Sequence, residues 1–221
     1  MDDESAPLLI LASASPRRSA LLRQIGVPHR VLPAQLDERR LEGEPAEVCV
    51  QRLAEQKALQ VLARLPAGTN ALPVLGADTE VVLDGAMLGK PRDRCEGVAM
   101  LARLSGREHE VVSAVALAYG ARLVSRLCHS VVRFRTLGRA ECEAYWDSGE
   151  PRDKAGGYAI QGLGAVFVEA LRGSYSGVMG LPLFETAALL EAAGLPVGAR
   201  RFTAAATASP APPAPARGES C

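Results

Sequence analysis

Residues 11–18, LASASPRR, bring two serines, a proline and two adjacent arginines together. Pro16 suits the first position of a helix and Ser15 the cap before it. Leu21, Leu22 and Ile25 then recur at helical spacing, and Gly26 can end the helix. Arg17 and Arg18 therefore fall in the first turn, where the helix dipole would favour acidic residues. Backbone N–H groups, the Ser13 and Ser15 hydroxyls and two guanidinium groups would all point at one place, and what suits that place is an anion, most naturally a phosphate. The competing reading is a solvated arginine pair beside an ordinary cap.

Of the 25 basic residues, only Lys57, Lys90 and Lys154 are lysines and 22 are arginines. An ammonium on a flexible stem does different work from a guanidinium fork, so each lysine's surroundings are informative. Lys57 interrupts the apolar stripe of a helix, where it either snorkels to the edge or reaches into a cleft. Lys90 is fixed in a Gly-Lys-Pro turn, and Lys154 lies in the glycine-rich run GEPRDKAGGYAIQG. With Arg17 and Arg18 these make five cations. If they share one cleft, a triphosphate is the match. Glu38, in a charged loop, and Asp78, read as ending an apolar strand, could hold a hard divalent ion or activate water. Alternatively, Asp78 caps a turn. There is no Walker lysine loop, dinucleotide glycine fingerprint or nucleophile elbow, so Ser13 and Ser15 read as phosphate donors. His29, His109 and His129 have no partners at metal spacing, and His109 reads as structural.

The elements that must position these groups follow from periodicity. Leu8–Ala12 is an apolar run of strand length, and HRVLPAQLDERR a short strand entering a loop. A helix of about twenty residues starts at Pro45, stops near Pro66 and buries Val50, Leu53, Ala54 and Val61. LPVLGADT reads as a strand ending at Asp78 and Thr79, followed by a hairpin at Asp84-Gly85. A helix through Met100–Leu104 precedes two long apolar segments separated by Gly120-Ala121, an antiparallel hairpin. Another helix carries Tyr145 and Trp146, AVFVEAL reads as a strand, and LPLFETAALLEAAG as a last helix. Strands alternate with helices, which predicts one α/β domain over residues 8–200 with a mixed sheet. Residues 1–7 and the Ala/Pro-rich tail 201–221 read as disordered.

Bulk composition excludes several classes. The 221 residues are 48% hydrophobic and 23% charged with a formal net charge of +0, so nothing global points to nucleic acid or an anionic membrane. No apolar run is long enough to span a bilayer, and the acidic start MDDESAP is unlike a signal peptide. Five cysteines without metal-type spacing fit a reducing, cytoplasmic setting.

In order, LASASPRR, LDE, EQKA, GADT, LGKPRD, LSGREHEV, GEPRDKAGGYAIQG and GLPL resemble the Maf family of nucleoside triphosphate pyrophosphatases over about Leu8–Pro196. The resemblance implies a single elongated α/β domain around a twisted mixed sheet flanked by helices, with a nucleotide in a central cleft. It implies cleavage of a nucleoside triphosphate to the monophosphate and pyrophosphate with Mg²⁺ or Mn²⁺, and a homodimer. Arg17, Thr79 and Gln161 match the branch that looks like dTTP/UTP pyrophosphatases. The 7-methyl-GTP branch has a tryptophan after SP, another residue after the Asp and a glutamate for the Gln. A Gln amide offers both a donor and an acceptor, which suits a uracil or thymine edge.

The expected roles follow from that resemblance. Asp78 is the base that activates water and, with Glu38, a metal ligand. Ser13, Ser15, Arg17, Arg18, Lys57, Lys90 and Lys154 bind the phosphates, while Arg17, Thr79 and Gln161 set specificity. Three departures stand out: Glu80 where the family has an apolar residue, GGYAIQG, and SGVMGLP. The rival readings are a nucleotide-binding regulator of septum formation without hydrolysis, and a broader pyrophosphatase that also takes CTP or modified pyrimidine nucleotides.

Overall fold

The computed structural model describes residues 6–66, 72–195 and 197. The tail 201–221 and residues 1–5, both expected to be disordered, lie outside these. In chain order the elements are β1 (Leu9–Leu11), α1 (Pro16–Gln24), β2 (His29–Val31), α2 (Ala46–Ala63), β3 (Val74–Leu83), β4 (Ala86–Leu88), α3 (Arg94–Leu104), β5 (Glu108–Tyr119), β6 (Arg122–Phe134), α4 (Arg139–Asp147), β7 (Val168–Arg172), α5 (Tyr175–Met179) and α6 (Leu183–Ala192). Three short 3-10 helices fill the chain between α4 and β7.

The seven strands form one mixed sheet in the order β2-β1-β3-β5-β6-β7, with β4 also on β3. β1 runs parallel to β2 and β3, and the other pairs are antiparallel. The β5–β6 hairpin appears as the sequence predicts. Asp84, at a φ of 53°, and Gly85, at 74°, make the two-residue turn from β3 to β4. α2 packs along β3 and β5, burying Val50, Leu53, Ala54 and Val61 as expected. Its backbone comes so close that a Cβ on Gly76 would lie 2.1 Å from the Ala54 carbonyl oxygen.

Two expectations need correction. β3 does not stop at Asp78 and Thr79 but continues to Leu83, because β5 offers an unbroken ladder from Val74↔Ala118 to Val82↔Glu110. In AVFVEAL, the first three residues belong to the 3-10 helix Leu163–Phe167, and the strand begins at Val168.

The other edge of β3 is interrupted. β1 pairs with it only at Ile10↔Val74 and Leu11↔Leu75, and β4 only at 81–83. Among the described residues, no strand covers positions 76–80 on this side. Side chains alternate across the strand. On one face Thr79 separates a core cluster containing Leu75 and Ala77 from one containing Val81 and Leu83. On the other face Gly76, Asp78 and Glu80 lie between Val74 and Val82, which pack toward α2. The polar break in β3 therefore sits at the gap in the sheet.

Candidate active site: a cleft in the sheet

A cleft of about 350 Å³ occupies this gap, within the range of small-molecule sites. Every residue singled out from the sequence lines it: Ser13, Ser15, Arg17, Arg18, Glu38, Lys57, Asp78, Thr79, Lys90, Lys154 and Gln161. They come from the end of β1, α1, the loop before α2, α2 itself, β3, the turn after β4 and the glycine-rich loop.

Lys57 resolves in favour of the cleft. It is buried, and its Nζ donates to Asp78 Oδ1 at 2.6 Å and pairs with Glu38 Oε1 at 3.0 Å. One ammonium thus gathers two carboxylates from opposite ends of the local sequence. Glu38 lies on an irregular loop, anchored by the neighbouring Arg40. Arg40 NH2 pairs with Glu80 Oε2 at 2.9 Å, and its NH1 donates to the Met87 carbonyl at 2.8 Å. Glu80, the departure from the motif, therefore fastens the loop that carries Glu38. Burial pushes its carboxyl up to about 7, with Arg40 pulling it down and the Asp78 charge adding to the rise.

At the start of α1 the arginines divide. Arg18 points inward: Nε donates to the Gly180 carbonyl at 2.7 Å and NH1 to Ser13 Oγ at 3.0 Å. This braces α1 against the turn after α5. Arg17 remains at the mouth, 3.5 Å from Asp153. Ser15 occupies the N-cap position, but its side chain makes no capping bond; instead its N–H donates to Ser13 Oγ at 3.2 Å. The expected serine cap is thus replaced by an Arg18–Ser13–Ser15 arrangement, with the Ser15 hydroxyl at the cleft.

Lys154 donates to the Glu150 carbonyl at 2.5 Å and to Asp153 Oδ1 at 2.6 Å, fixing the loop that it belongs to. Of the five cations, Lys90 alone has no hydrogen bond or ion pair among the described residues, and it is exposed at the cleft. The Gln161 segment is clamped from behind. Glu150 accepts from the Tyr145 hydroxyl at 2.6 Å, Leu163 N at 2.9 Å and Gly164 N at 3.0 Å, while Ala159 N donates to the Tyr145 hydroxyl at 3.0 Å.

Sequence reasoning missed Asp153, Glu150, Tyr145 and Ser113. The motif GEPRDKAGGYAIQG contains the first two, but nothing in it says that one carboxylate faces the cations and the other clamps a loop. Thr79 Oγ1 lies 2.9 Å from Ser113 Oγ across the β3–β5 ladder. His109 is structural, as expected. Its Nε2 shares a hydrogen bond of 2.9 Å with the Tyr158 hydroxyl, and burial pushes its pKa down to about 4.

Among the described residues, no group of three His, Cys, Asp or Glu side chains could hold a metal ion by itself. The donor set suits a hard cation even so, because Mg²⁺ commonly takes one or two carboxylates and fills its shell with water and substrate phosphate. Asp78 and Glu38, gathered by one ammonium, are such a pair.

The family model described as Maf-like protein matches residues 8–193. Several relatives carry the name dTTP/UTP pyrophosphatase, among them the following three. The protein from Saccharophagus degradans is 53% identical over 195 residues, covering 88% of this chain and 92% of its own length. That from Bordetella pertussis is 53% identical over 196 residues, 86% of this chain and 95% of its own. That from Alkalilimnicola ehrlichii is 54% identical over 193 residues, again 86% and 95%.

Proposed function

The chain belongs to the Maf family, and from that premise we propose that it hydrolyses dTTP and UTP to the nucleoside monophosphate and pyrophosphate. The observation that carries this reading is the convergence of five cations and two carboxylates on one gap in the sheet. Its relatives' shared name supplies the pyrimidine preference.

In this reading the triphosphate lies against the start of α1 and Lys90. Arg17 and Lys90 neutralise it directly, Ser15 donates to a phosphate oxygen, and Lys57, Arg18 and Lys154 supply positive potential from fixed positions. A water molecule attacks the α-phosphorus. Its oxygen forms the new P–O bond, its proton passes to Asp78, and the bond to the β-phosphate breaks with the electron pair leaving on pyrophosphate. Asp78 is hydrogen-bonded to Lys57 through Oδ1, and we assign Oδ2 to the water. Lys57 holds the base in place and adds charge compensation as pyrophosphate departs. Mg²⁺ or Mn²⁺, held by Asp78 and Glu38, would polarise the phosphate oxygens. The family reading extends to a cytoplasmic homodimer.

The test is pyrophosphate release from dTTP, UTP, CTP, dATP, GTP and 7-methyl-GTP with either metal, in wild type and Asp78→Asn. Preference for dTTP and UTP is expected, with turnover in Asp78→Asn lower by about 10²–10⁴-fold and nucleotide binding retained. The variant should fold, because Lys57 keeps Glu38 as a partner at 3.0 Å. Wild-type turnover in Asp78→Asn would remove Asp78 as the base. Binding without pyrophosphate release in wild type would favour a regulatory protein.

A further inference from the structure

Thr79 and Ser113 oppose each other across β3 and β5, with their hydroxyl oxygens 2.9 Å apart. That distance alone does not say which one donates. The second contact of Ser113 decides it. Ser113 Oγ lies 2.7 Å from the Gly177 carbonyl oxygen, and a carbonyl only accepts. A hydroxyl carries one hydrogen, and Ser113 gives it to Gly177. It must therefore accept from Thr79, whose own hydrogen is directed into the sheet, so that toward the cleft it lines the Thr79 oxygen can act only as an acceptor. Ser113 is 1% exposed, so water cannot compete for either bond. The acceptor is itself held: Gly177 N donates to Ser174 Oγ at 3.0 Å in the first turn of α5.

We infer that Ser113 is a positioning residue for substrate choice: by fixing the direction of the Thr79 hydroxyl, it makes the cleft wall demand a hydrogen-bond donor from the base. This rests on reading the cleft as a pyrimidine nucleotide site. On the pairing edge of uracil or thymine, the sole donor is N3–H, flanked by two carbonyls. Cytosine presents a bare acceptor at N3, which would face the Thr79 lone pair with neither group satisfied. Gln161, exposed on its loop, can turn either end of its amide to the base and so discriminates less by itself. The Ser113–Thr79 pair then supplies the part of the selection that cannot be turned round.

The experiment compares kcat/KM for UTP, CTP and N3-methyl-UTP, in which a methyl group replaces the N3 hydrogen. The proteins are wild type, Ser113→Ala, Ser113→Thr and Thr79→Val. Wild type should favour UTP over both others. Ser113→Ala frees the Thr79 hydroxyl to rotate, so CTP should gain while UTP changes little. The UTP/CTP ratio should narrow by about tenfold, the value of one hydrogen bond. Ser113→Thr should restore the ratio, and Thr79→Val should bring UTP down toward N3-methyl-UTP. A merely structural lesion would lower every nucleotide in proportion and leave the ratios alone. Wild-type preference for UTP with an unchanged ratio in Ser113→Ala overturns the role of Ser113 and leaves the proposed activity standing. Absence of pyrophosphate release from UTP in wild type overturns the proposed activity itself. If Ser113→Ala does not fold, Ser113→Cys, a weaker donor, must give an intermediate ratio, and a wild-type ratio there counts against Ser113.

Discussion

Glu80 and His109 pull stability in opposite directions as pH changes. The folded state holds Glu80 at about 7, above the ordinary 4.5. Between those values the folded protein keeps a proton that the unfolded chain has released, so stability falls as pH rises from about 4.5 to about 7. His109 is held at about 4, below the ordinary 6.5. There the unfolded chain binds the extra proton, so stability falls as pH drops from about 6.5 to about 4. Each slope is at most about 1.4 kcal/mol per pH unit, and the windows nearly coincide, so in wild type the two largely cancel. Glu80→Gln should uncover the His109 slope: its urea midpoint should fall more steeply than that of wild type between about pH 7 and about pH 5. Parallel profiles would mean that Glu80 is already ionised across that range. At this scale the sequence was generous with charges, because a charge that interrupts an apolar pattern or sits among glycines is visible locally. It was silent on Ser113 and Glu150, whose roles depend on groups brought to them by the ladder and by the loop that folds back.

The elements were legible where periodicity was clean. The β5–β6 hairpin, α2 and the strand-to-helix turn at Pro16 could all be read. β3 was read too short because Asp78-Thr79-Glu80 resembles a strand end. Three polar residues in mid-strand are tolerated here because they border a gap and not a dry interface, which only the pairing partners reveal. The same stretch depends on the closeness of α2. In Gly76→Ala the new Cβ would lie 2.1 Å from the Ala54 carbonyl and 2.9 Å from Ala58 N, both backbone atoms, so the helix must move. Lys57 stands between these two positions' turns and would move with it, away from Asp78. Overpacking of this kind costs about 1–3 kcal/mol, measurable in urea, and pyrophosphate release should fall as well. Gly138→Ala, where a Cβ meets nothing within 4 Å, is the control: at the N-cap of α4 it costs a little stability but should leave pyrophosphate release nearly unchanged.

For the molecule as a whole, the short reach of β1 is the decisive feature. Three residues of strand, followed by small hydroxyl residues and a helix, stop the ladder before it can cover β3. Main-chain groups alternate in direction along a strand, and Pro73 and Leu75 turn their carbonyls toward β1. By that alternation Ala77 and Thr79 present their amides to the open side, while Gly76, Asp78 and Glu80 present theirs to β5. Ala77 is fully buried, whereas Thr79 lines the cleft, so exchange of backbone hydrogens with heavy water should be fast at Thr79 and slow at Asp78 and Glu80 beside it. Adding dTTP to the slow Asp78→Asn variant should slow the Thr79 amide selectively. Uniform exchange along 76–80 would mean that this edge is covered in solution. The nucleotide would then take the place of a strand that the chain does not supply, and the sheet would be complete only while substrate is present.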